Sequence, residues 1–323
     1  MLTYILFVLG FVLLIKGADF LIDGGSAVAA KFNVPQFIIG LTIISFGTSL
    51  PELIVNINAS ISGSAEIAVG NVFGSNIANV LLILGVAAII NPLPIRKAIY
   101  YSEIPFMLIA TLLVGFIANA SLFSESKALE ISRVDGAILL LFFFLFMGYI
   151  FAIGKENKAN NIKDDLNIKV MTMGRAAGYI LMGMAGLYVG GEWIVDGAIV
   201  ISKSFGLSET FIGLTVIAIG TSLPELVTSA VAAAKKNTDI AVGNVVGSNI
   251  FNLLWILGIS SVIKPLPFHL ASNTDILVVI FSSTLLIFAV AIGKGKQPRV
   301  DRIEGVFFVL CYIAYIVYLV NRG

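Results

Sequence analysis

"GTSLPE" at Gly47–Glu52 recurs letter for letter at Gly220–Glu225, and both copies lie inside long apolar runs. Because proline has no N–H, Pro51 leaves the carbonyl of Gly47, four residues earlier, without its helical partner. Inside a membrane, such a free backbone group is tolerated only where it is buried in protein or lines an aqueous cavity. The hexapeptide therefore predicts a discontinuous helix in each half of the chain, with a carboxylate beside each break.

The two copies belong to an internal repeat with a constant offset of 173 residues. Between Ile39–Asn79 and Ile212–Asn252, 24 of 41 positions are identical. Five apolar runs precede the polar stretch Lys155–Lys169 and five follow it, so the second copy enters the membrane with the opposite orientation. Inverted repeats of this kind are typical of secondary transporters, whose binding site lies at the repeat interface near the membrane midplane.

The composition is that of a membrane protein. Of the 323 residues, 58% are hydrophobic and only 12% are charged, about half the charged fraction of a soluble domain. We expect an all-α membrane protein of ten transmembrane helices arranged as two inverted-topology five-helix repeats, with repeats at 1–153 and 174–323 and a linker at 154–173. The net charge of +1 gives no reason to expect nucleic acid, and beyond the lipid bilayer neither a cofactor nor a protein partner is implied.

Basic residues predict the orientation of the chain. Fourteen Lys and Arg residues fall in loops on the side of the linker, and five fall on the opposite side. Loops rich in Lys and Arg remain in the cytoplasm. We therefore expect a multi-pass protein of the cell membrane with a cytoplasmic linker and extracellular termini.

Each break lies beside a set of oxygen ligands. Glu52 is four residues from Thr48 and three from Ser49, and Ser75 is four from Asn79, spacings that place side chains on one helical face. The second half repeats these positions as Thr221, Ser222, Glu225, Ser248 and Asn252. Oxygen ligands suit hard cations, and a glutamate at membrane depth indicates function because its insertion costs a few kcal/mol.

Structural interpretations of the same residues remain open. The Gly70 and Gly74 pair is also a common helix-packing motif, and a single intramembrane Ser or Thr usually bonds its own helix. Glu52 can be read as a protonated structural residue. Two symmetric copies, each beside a proline break and each followed by a Ser/Asn face, favour the cation-binding interpretation.

The paired "GTSLPE" and "GNVFGSNI" or "GNVVGSNI" segments resemble the two α-repeats of the cation/Ca²⁺ exchanger superfamily, and the chain looks most like its prokaryotic sodium/calcium exchangers. The resemblance covers the whole chain. It implies cation ligands at Thr48, Ser49, Glu52, Ser75, Asn79, Thr221, Ser222, Glu225, Ser248 and Asn252, helped by backbone carbonyls near Ser45 and Ala218. Many members have an aspartate where this chain has Asn252, so the coupling ion, the Na⁺ stoichiometry and K⁺ dependence do not follow from the resemblance.

We expect a secondary antiporter that exchanges Na⁺ for Ca²⁺ by alternating access. Two glutamates balance one Ca²⁺, and Na⁺ would use the same ligands, so the two cations exclude each other. H⁺/Ca²⁺ exchange and K⁺-dependent Na⁺/Ca²⁺ exchange are alternatives, and a cation channel is a more remote one. We expect no enzyme and no catalytic residues, because the sequence has no HExxH motif, no intramembrane Ser/His pair and no pair of mid-span aspartates in the core helices.

Overall fold

The chain folds almost entirely into helices. The computed structural model describes residues 2–123, 129–157, 171–204, 218–292 and 298–322. The first half contains α1 (Leu2–Phe32), α2 (Gln36–Ile39), α3 (Ser45–Thr48), α4 (Leu50–Ser62), α5 (Ala65–Ile77), α6 (Gly85–Ile90), α7 (Lys97–Tyr101), α8 (Glu103–Ala118) and α9 (Arg133–Asn157). The second half contains α10 (Met173–Ser204), α11 (Ala218–Thr221), α12 (Leu223–Ala234), α13 (Thr238–Ile250), α14 (Leu257–Ile263), α15 (Asn273–Ile292) and α16 (Arg302–Arg322).

Several of these helices join into longer spans. Three π-helical segments connect α2 to α3, α5 to α6 and α13 to α14, respectively Gly40–Ile44, Ala78–Leu84 and Phe251–Ile256. In the described ranges, eight helices are long and apolar enough to cross a membrane, and a bent pair makes a ninth span. The expected all-α membrane fold is confirmed. The first part of the seventh expected run, Phe211–Ala234, and most of the linker lie outside the described residues.

The second span breaks where Pro51 predicts. Helix α3 ends at Thr48 and α4 begins at Leu50, and the two segments are bent by 48° relative to each other. Ser49, between them, has φ −85° and ψ 9°. In the second half, Ser222 separates α11 from α12 with φ −90° and ψ 5°. Both hexapeptides therefore interrupt a helix, and the prediction of discontinuous helices is confirmed.

Helices α1 and α10 occupy equivalent positions in the two repeats and pack against each other on small residues. A Cβ atom added to Gly10 would lie 2.8 Å from the carbonyl oxygen of Gly190. A Cβ atom added to Gly24 would lie 2.9 Å from the carbonyl oxygen of Ala176. As the residue number of the contact increases along α1, the residue number of its partner decreases along α10. The two helices are antiparallel, as an inverted repeat requires.

A single methyl group at Gly17 is expected to destabilise the protein. In Gly17→Ala, the new Cβ would lie 2.8 Å from the nitrogen of Leu187 and 2.9 Å from the carbonyl oxygen of Gly183. Both are backbone atoms and cannot turn aside, and overpacking of this kind costs about 1–3 kcal/mol. The melting temperature in detergent should therefore fall by several degrees. Gly178→Ala is the control, because no described atom lies within 4 Å of its Cβ position; equal melting temperatures would contradict the close packing.

The two halves are also joined at the ends of their helices. Each of two short antiparallel ladders takes one strand from each half: β1 (Leu93–Pro94) with β4 (Arg299–Val300), and β2 (Glu130–Ile131) with β3 (Leu266–Pro267). Ion pairs join Arg96 to Asp239 at 2.7 Å and Lys235 to Asp19 at 2.9 Å. The spans that contain α5 and α13 are the most enclosed of the eight long apolar helices, with 72% and 78% of the residues in an apolar 18-residue stretch buried. The polar residues of the repeated motifs thus lie at the centre of the molecule.

Candidate cation-binding site

The two carboxylates of the repeated hexapeptides are buried at the start of the helices that follow the breaks. Glu52 lies in the first turn of α4 and Glu225 in the first turn of α12, and each is 1% exposed. A helix N-terminus favours a carboxylate because its first N–H groups are free and the helix dipole is positive there. Within the described ranges, neither carboxylate takes part in an ion pair. Two carboxylates therefore face the interior, and no described cationic side chain pairs with them.

The serine at each break forms a hydrogen bond with the carboxylate of the opposite repeat. The Ser49 hydroxyl donates to Oε1 of Glu225 at 2.9 Å, and the Ser222 hydroxyl donates to Oε1 of Glu52 at 3.4 Å. The donor and acceptor are 176 and 170 residues apart in the two cases. The hydrogen bonds follow the inverted symmetry, so the two hexapeptides meet in one cluster.

The serines of the following spans extend this cluster. Ser248 lies 3.0 Å from the Ser49 hydroxyl and 3.5 Å from Oε1 of Glu225. Ser75 lies 3.3 Å from the Ser222 hydroxyl. Hydroxyl groups both donate and accept, and their oxygens can turn from these partners to a cation.

The threonines of the breaks bond to asparagines of the opposite repeat. The Thr48 hydroxyl donates to Oδ1 of Asn244 at 3.1 Å, and the Thr221 hydroxyl donates to Oδ1 of Asn71 at 3.4 Å. Thr48 also lies 3.3 Å from the carbonyl oxygen of Ser45. That carbonyl therefore lies in the same cluster, whereas the Ser45 hydroxyl donates to its own helix. For Ala218, the structure describes the backbone at the start of α11 and not the side chain.

Asn79 and Asn252 lie in π-helical segments, which the sequence did not predict. Such segments often occur at functional sites. Nδ2 of Asn79 donates to Oδ1 of Asn249 at 2.9 Å, and Nδ2 of Asn252 donates to Oδ1 of Asn76 at 3.2 Å. All four side chains are buried. Both amide NH₂ groups are thus occupied by the opposite repeat, and both Oδ1 atoms point elsewhere.

Four buried oxygens in these residues have no hydrogen-bond partner among the described residues. They are Oε2 of Glu52, Oε2 of Glu225, Oδ1 of Asn79 and Oδ1 of Asn252. Buried polar atoms nearly always have a hydrogen-bond partner, and a place for a bound ion is one explanation for an exception. Carboxylate and carboxamide oxygens are ligands for hard cations such as Ca²⁺. The four oxygens, two from carboxylates and two from carboxamides, are therefore candidate ligands for a hard cation.

Asn56 is a further polar residue of α4. It is completely buried, its Oδ1 accepts from Nδ2 of Asn71 at 2.6 Å, and its own Nδ2 donates to the carbonyl oxygen of Ala68 at 3.0 Å. Asn56 therefore links α4 to α5. In the other half, Asn244 donates to the hydroxyl of Ser229 at 3.0 Å, which is the matching link.

The chain is similar to known exchangers over nearly its whole length. The family model described as sodium/calcium exchanger protein matches residues 2–152 and 175–321. CaxA of Alkalimonas amylolytica is 36% identical and the sodium/calcium exchanger MaX1 of Methanosarcina acetivorans is 34% identical, each match covering 98% of both chains. A solved structure of the sodium-calcium exchanger NCX_Mj matches with a TM-score of 0.82 at 31% identity, again over 98% of each chain. Because the family model matches both repeats, the chain belongs to the sodium/calcium exchanger family of membrane proteins.

Proposed function

We propose that the protein is a secondary active antiporter that exchanges Na⁺ for Ca²⁺ across the cell membrane by alternating access. The observation that carries this proposal is the set of four buried oxygens without hydrogen-bond partners, two from each repeat, on Glu52, Glu225, Asn79 and Asn252. The names of MaX1 and NCX_Mj as sodium/calcium exchangers support the choice of ions. The protein acts as a transporter and not as an enzyme.

The charge and number of ligands suit Ca²⁺. Two carboxylates bring a charge of −2, which balances one Ca²⁺. Ca²⁺ takes six to eight oxygens at about 2.3–2.6 Å, and the residues of the cluster supply that number. The proposed ligands are the side chains of Thr48, Ser49, Glu52, Ser75, Asn79, Thr221, Ser222, Glu225, Ser248 and Asn252, with the backbone carbonyls of Ser45 and Ala218.

Exchange follows from the sharing of ligands. Na⁺ also binds carboxylate, hydroxyl and carbonyl oxygens, so the same groups hold either Na⁺ or Ca²⁺ and not both. Helix α10 lies against both breaks, since a Cβ on Gly47 would lie 2.7 Å from Cε of Met184, and a Cβ on Gly220 would clash with the Val195 side chain. Movement of the α1 and α10 pair across the breaks would therefore expose the site to one side of the membrane at a time.

Flux measurements in proteoliposomes test this function. An outward or inward gradient of Na⁺, K⁺ or H⁺ is imposed separately while ⁴⁵Ca²⁺ uptake is measured. We expect saturable uptake driven by the Na⁺ gradient. Uptake driven by H⁺ alone would instead support H⁺/Ca²⁺ exchange, a requirement for K⁺ would support K⁺-dependent exchange, and uptake without a counter-ion would support a channel.

The proposal includes the arrangement of the chain in the membrane. The first repeat is 1–153, the linker 154–173 and the second repeat 174–323, with the linker in the cytoplasm and both termini outside. The family match supports the division, since it stops at residue 152 and resumes at 175. The excess of basic residues on the linker side supports the orientation.

Labelling of single cysteines tests the orientation. In a background without Cys311, Lys163→Cys in the linker should be protected from a membrane-impermeant thiol reagent added to intact cells. Ser62→Cys is the control, because it lies at the exposed end of α4 on the expected outer side. It should react. Labelling of Lys163→Cys together with protection of Ser62→Cys would show that the orientation is reversed.

A further inference from the structure

The amide of Asn249 is held in one orientation by two acceptors. Its Nδ2 donates to the main-chain carbonyl oxygen of Asn76 at 3.4 Å and to the sulfur of Met107 at 3.3 Å. A carbonyl oxygen and a thioether sulfur accept and do not donate. The NH₂ group of Asn249 therefore faces them, and its Oδ1 faces Asn79. Asn79 can only offer its own NH₂ to that oxygen, which leaves Oδ1 of Asn79 free for the site.

The equivalent pair in the other half is Asn252 with Asn76, and no described acceptor holds the NH₂ group of Asn76. Asn76 accepts from Nδ2 of Asn252 through its Oδ1, but Nδ2 of Asn76 is buried and has no partner among the described residues. The residue that matches Met107 at the repeat offset is Ile280, whose side chain has no acceptor. The two asparagine pairs are therefore alike in sequence, but their amides are restrained differently. The NH₂ group of Asn249 donates to a backbone carbonyl, whereas that of Asn76 has no acceptor among the described residues.

We propose that Asn249 is a positioning residue that turns the amide oxygen of Asn79 toward the transported cation. This inference rests on the proposed function. A carboxamide attracts a cation through its oxygen and repels it through its NH₂ group, so orientation decides whether the side chain is a ligand. Groups that orient the ligands of a metal commonly change its affinity about 10- to 100-fold.

A double-mutant cycle separates positioning from a structural role. Asn249→Leu removes the acceptor for Asn79 without adding charge, and we expect the KM for Ca²⁺ to rise about tenfold or more with little change in kcat. In an Asn79→Ala background, the same substitution should leave the KM unchanged, because it acts only through Asn79. Thr111→Val is the matched control, since Thr111 is buried nearby on α8 and its hydroxyl donates within that helix to the carbonyl of Met107.

The cycle has outcomes that would overturn the inference. An equal rise in KM in both backgrounds, or an unchanged KM in Asn249→Leu, would show that Asn249 does not orient Asn79. If Asn249→Leu does not fold, Asn249→Ala, measured alone and in the Asn79→Ala background, decides the question in the same way. Failure of the wild-type protein to couple ⁴⁵Ca²⁺ flux to a Na⁺ gradient would instead overturn the proposed function, so the two failures are distinguishable.

Discussion

Replacing Glu52 or Glu225 by glutamine is expected to abolish Ca²⁺ transport. Glutamine keeps the shape and an oxygen that can accept from Ser222 or Ser49, but it removes one of the two negative charges of the site. One Ca²⁺ would then leave a net positive charge in a buried centre. Removing one partner of a buried charge pair costs about 3–5 kcal/mol, which corresponds to a loss of affinity on the order of 10²- to 10⁴-fold.

The measurement combines flux with thermal stability. Uptake of ⁴⁵Ca²⁺ should fall to background in each variant, while the protein still purifies as a monodisperse species. Ca²⁺ should raise the melting temperature of the wild type, because a ligand that binds only the folded state stabilises it, and should not raise that of the variants. Glu66→Gln is the control, since Glu66 carries the same carboxylate on an exposed position. Transport near the wild-type rate by either site variant would contradict the shared carboxylate site.

Asn252→Asp is expected to strengthen Na⁺ binding by about tenfold. A carboxylate about 5 Å from Na⁺ attracts it by roughly 3 kcal/mol at an effective dielectric constant of 20, and desolvation of the new charge takes part of that gain. The third negative charge would suit an additional Na⁺, and with Ca²⁺ bound it would favour uptake of a proton. The KM for Na⁺ should therefore fall, and Ca²⁺ flux should become pH-dependent.

Sequence symmetry predicts that Asn79→Asp acts in the same way, and the structure predicts a difference. In Asn252→Asp, the new oxygen replaces an NH₂ group that faces Asn76, and Asn76 can turn to donate its unpaired Nδ2. In Asn79→Asp, the new oxygen faces Oδ1 of Asn249, which cannot turn without placing oxygen against the carbonyl of Asn76. Two opposed buried acceptors cost about 1–3 kcal/mol.

Both aspartate variants are measured side by side. The flux is recorded against Na⁺ concentration and pH, and melting temperatures are recorded without Ca²⁺. We expect Asn79→Asp to be the less stable variant and Asn252→Asp to show the larger decrease in the KM for Na⁺. Equal melting temperatures and equal KM values for Na⁺ in the two variants would contradict the difference in restraint between Asn249 and Asn76. An unchanged Na⁺ and pH dependence in Asn252→Asp would show that Asn252 does not bind the cation.

The sequence alone determined the features that depend on short-range chemistry. The break at Pro51 follows from a missing N–H group, and the membrane class follows from composition. The inverted repeat follows from the constant offset of 173 residues and an odd number of apolar runs. The cation-ligand candidates follow from the cost of a carboxylate at membrane depth, which made Glu52 and Glu225 improbable as inert residues.

Only the tertiary structure decided which groups face each other across the repeats. The bonds from Ser49 to Glu225 and from Asn79 to Asn249 join residues 176 and 170 positions apart, and no local preference specifies such pairs. The orientation of each amide depends on what its neighbour can accept, and for Asn249 that neighbour is a backbone carbonyl and the sulfur of Met107. The two repeated motifs are therefore alike in sequence but differ in how their amides are restrained, because the acceptors that restrain an amide come from helices packed around it.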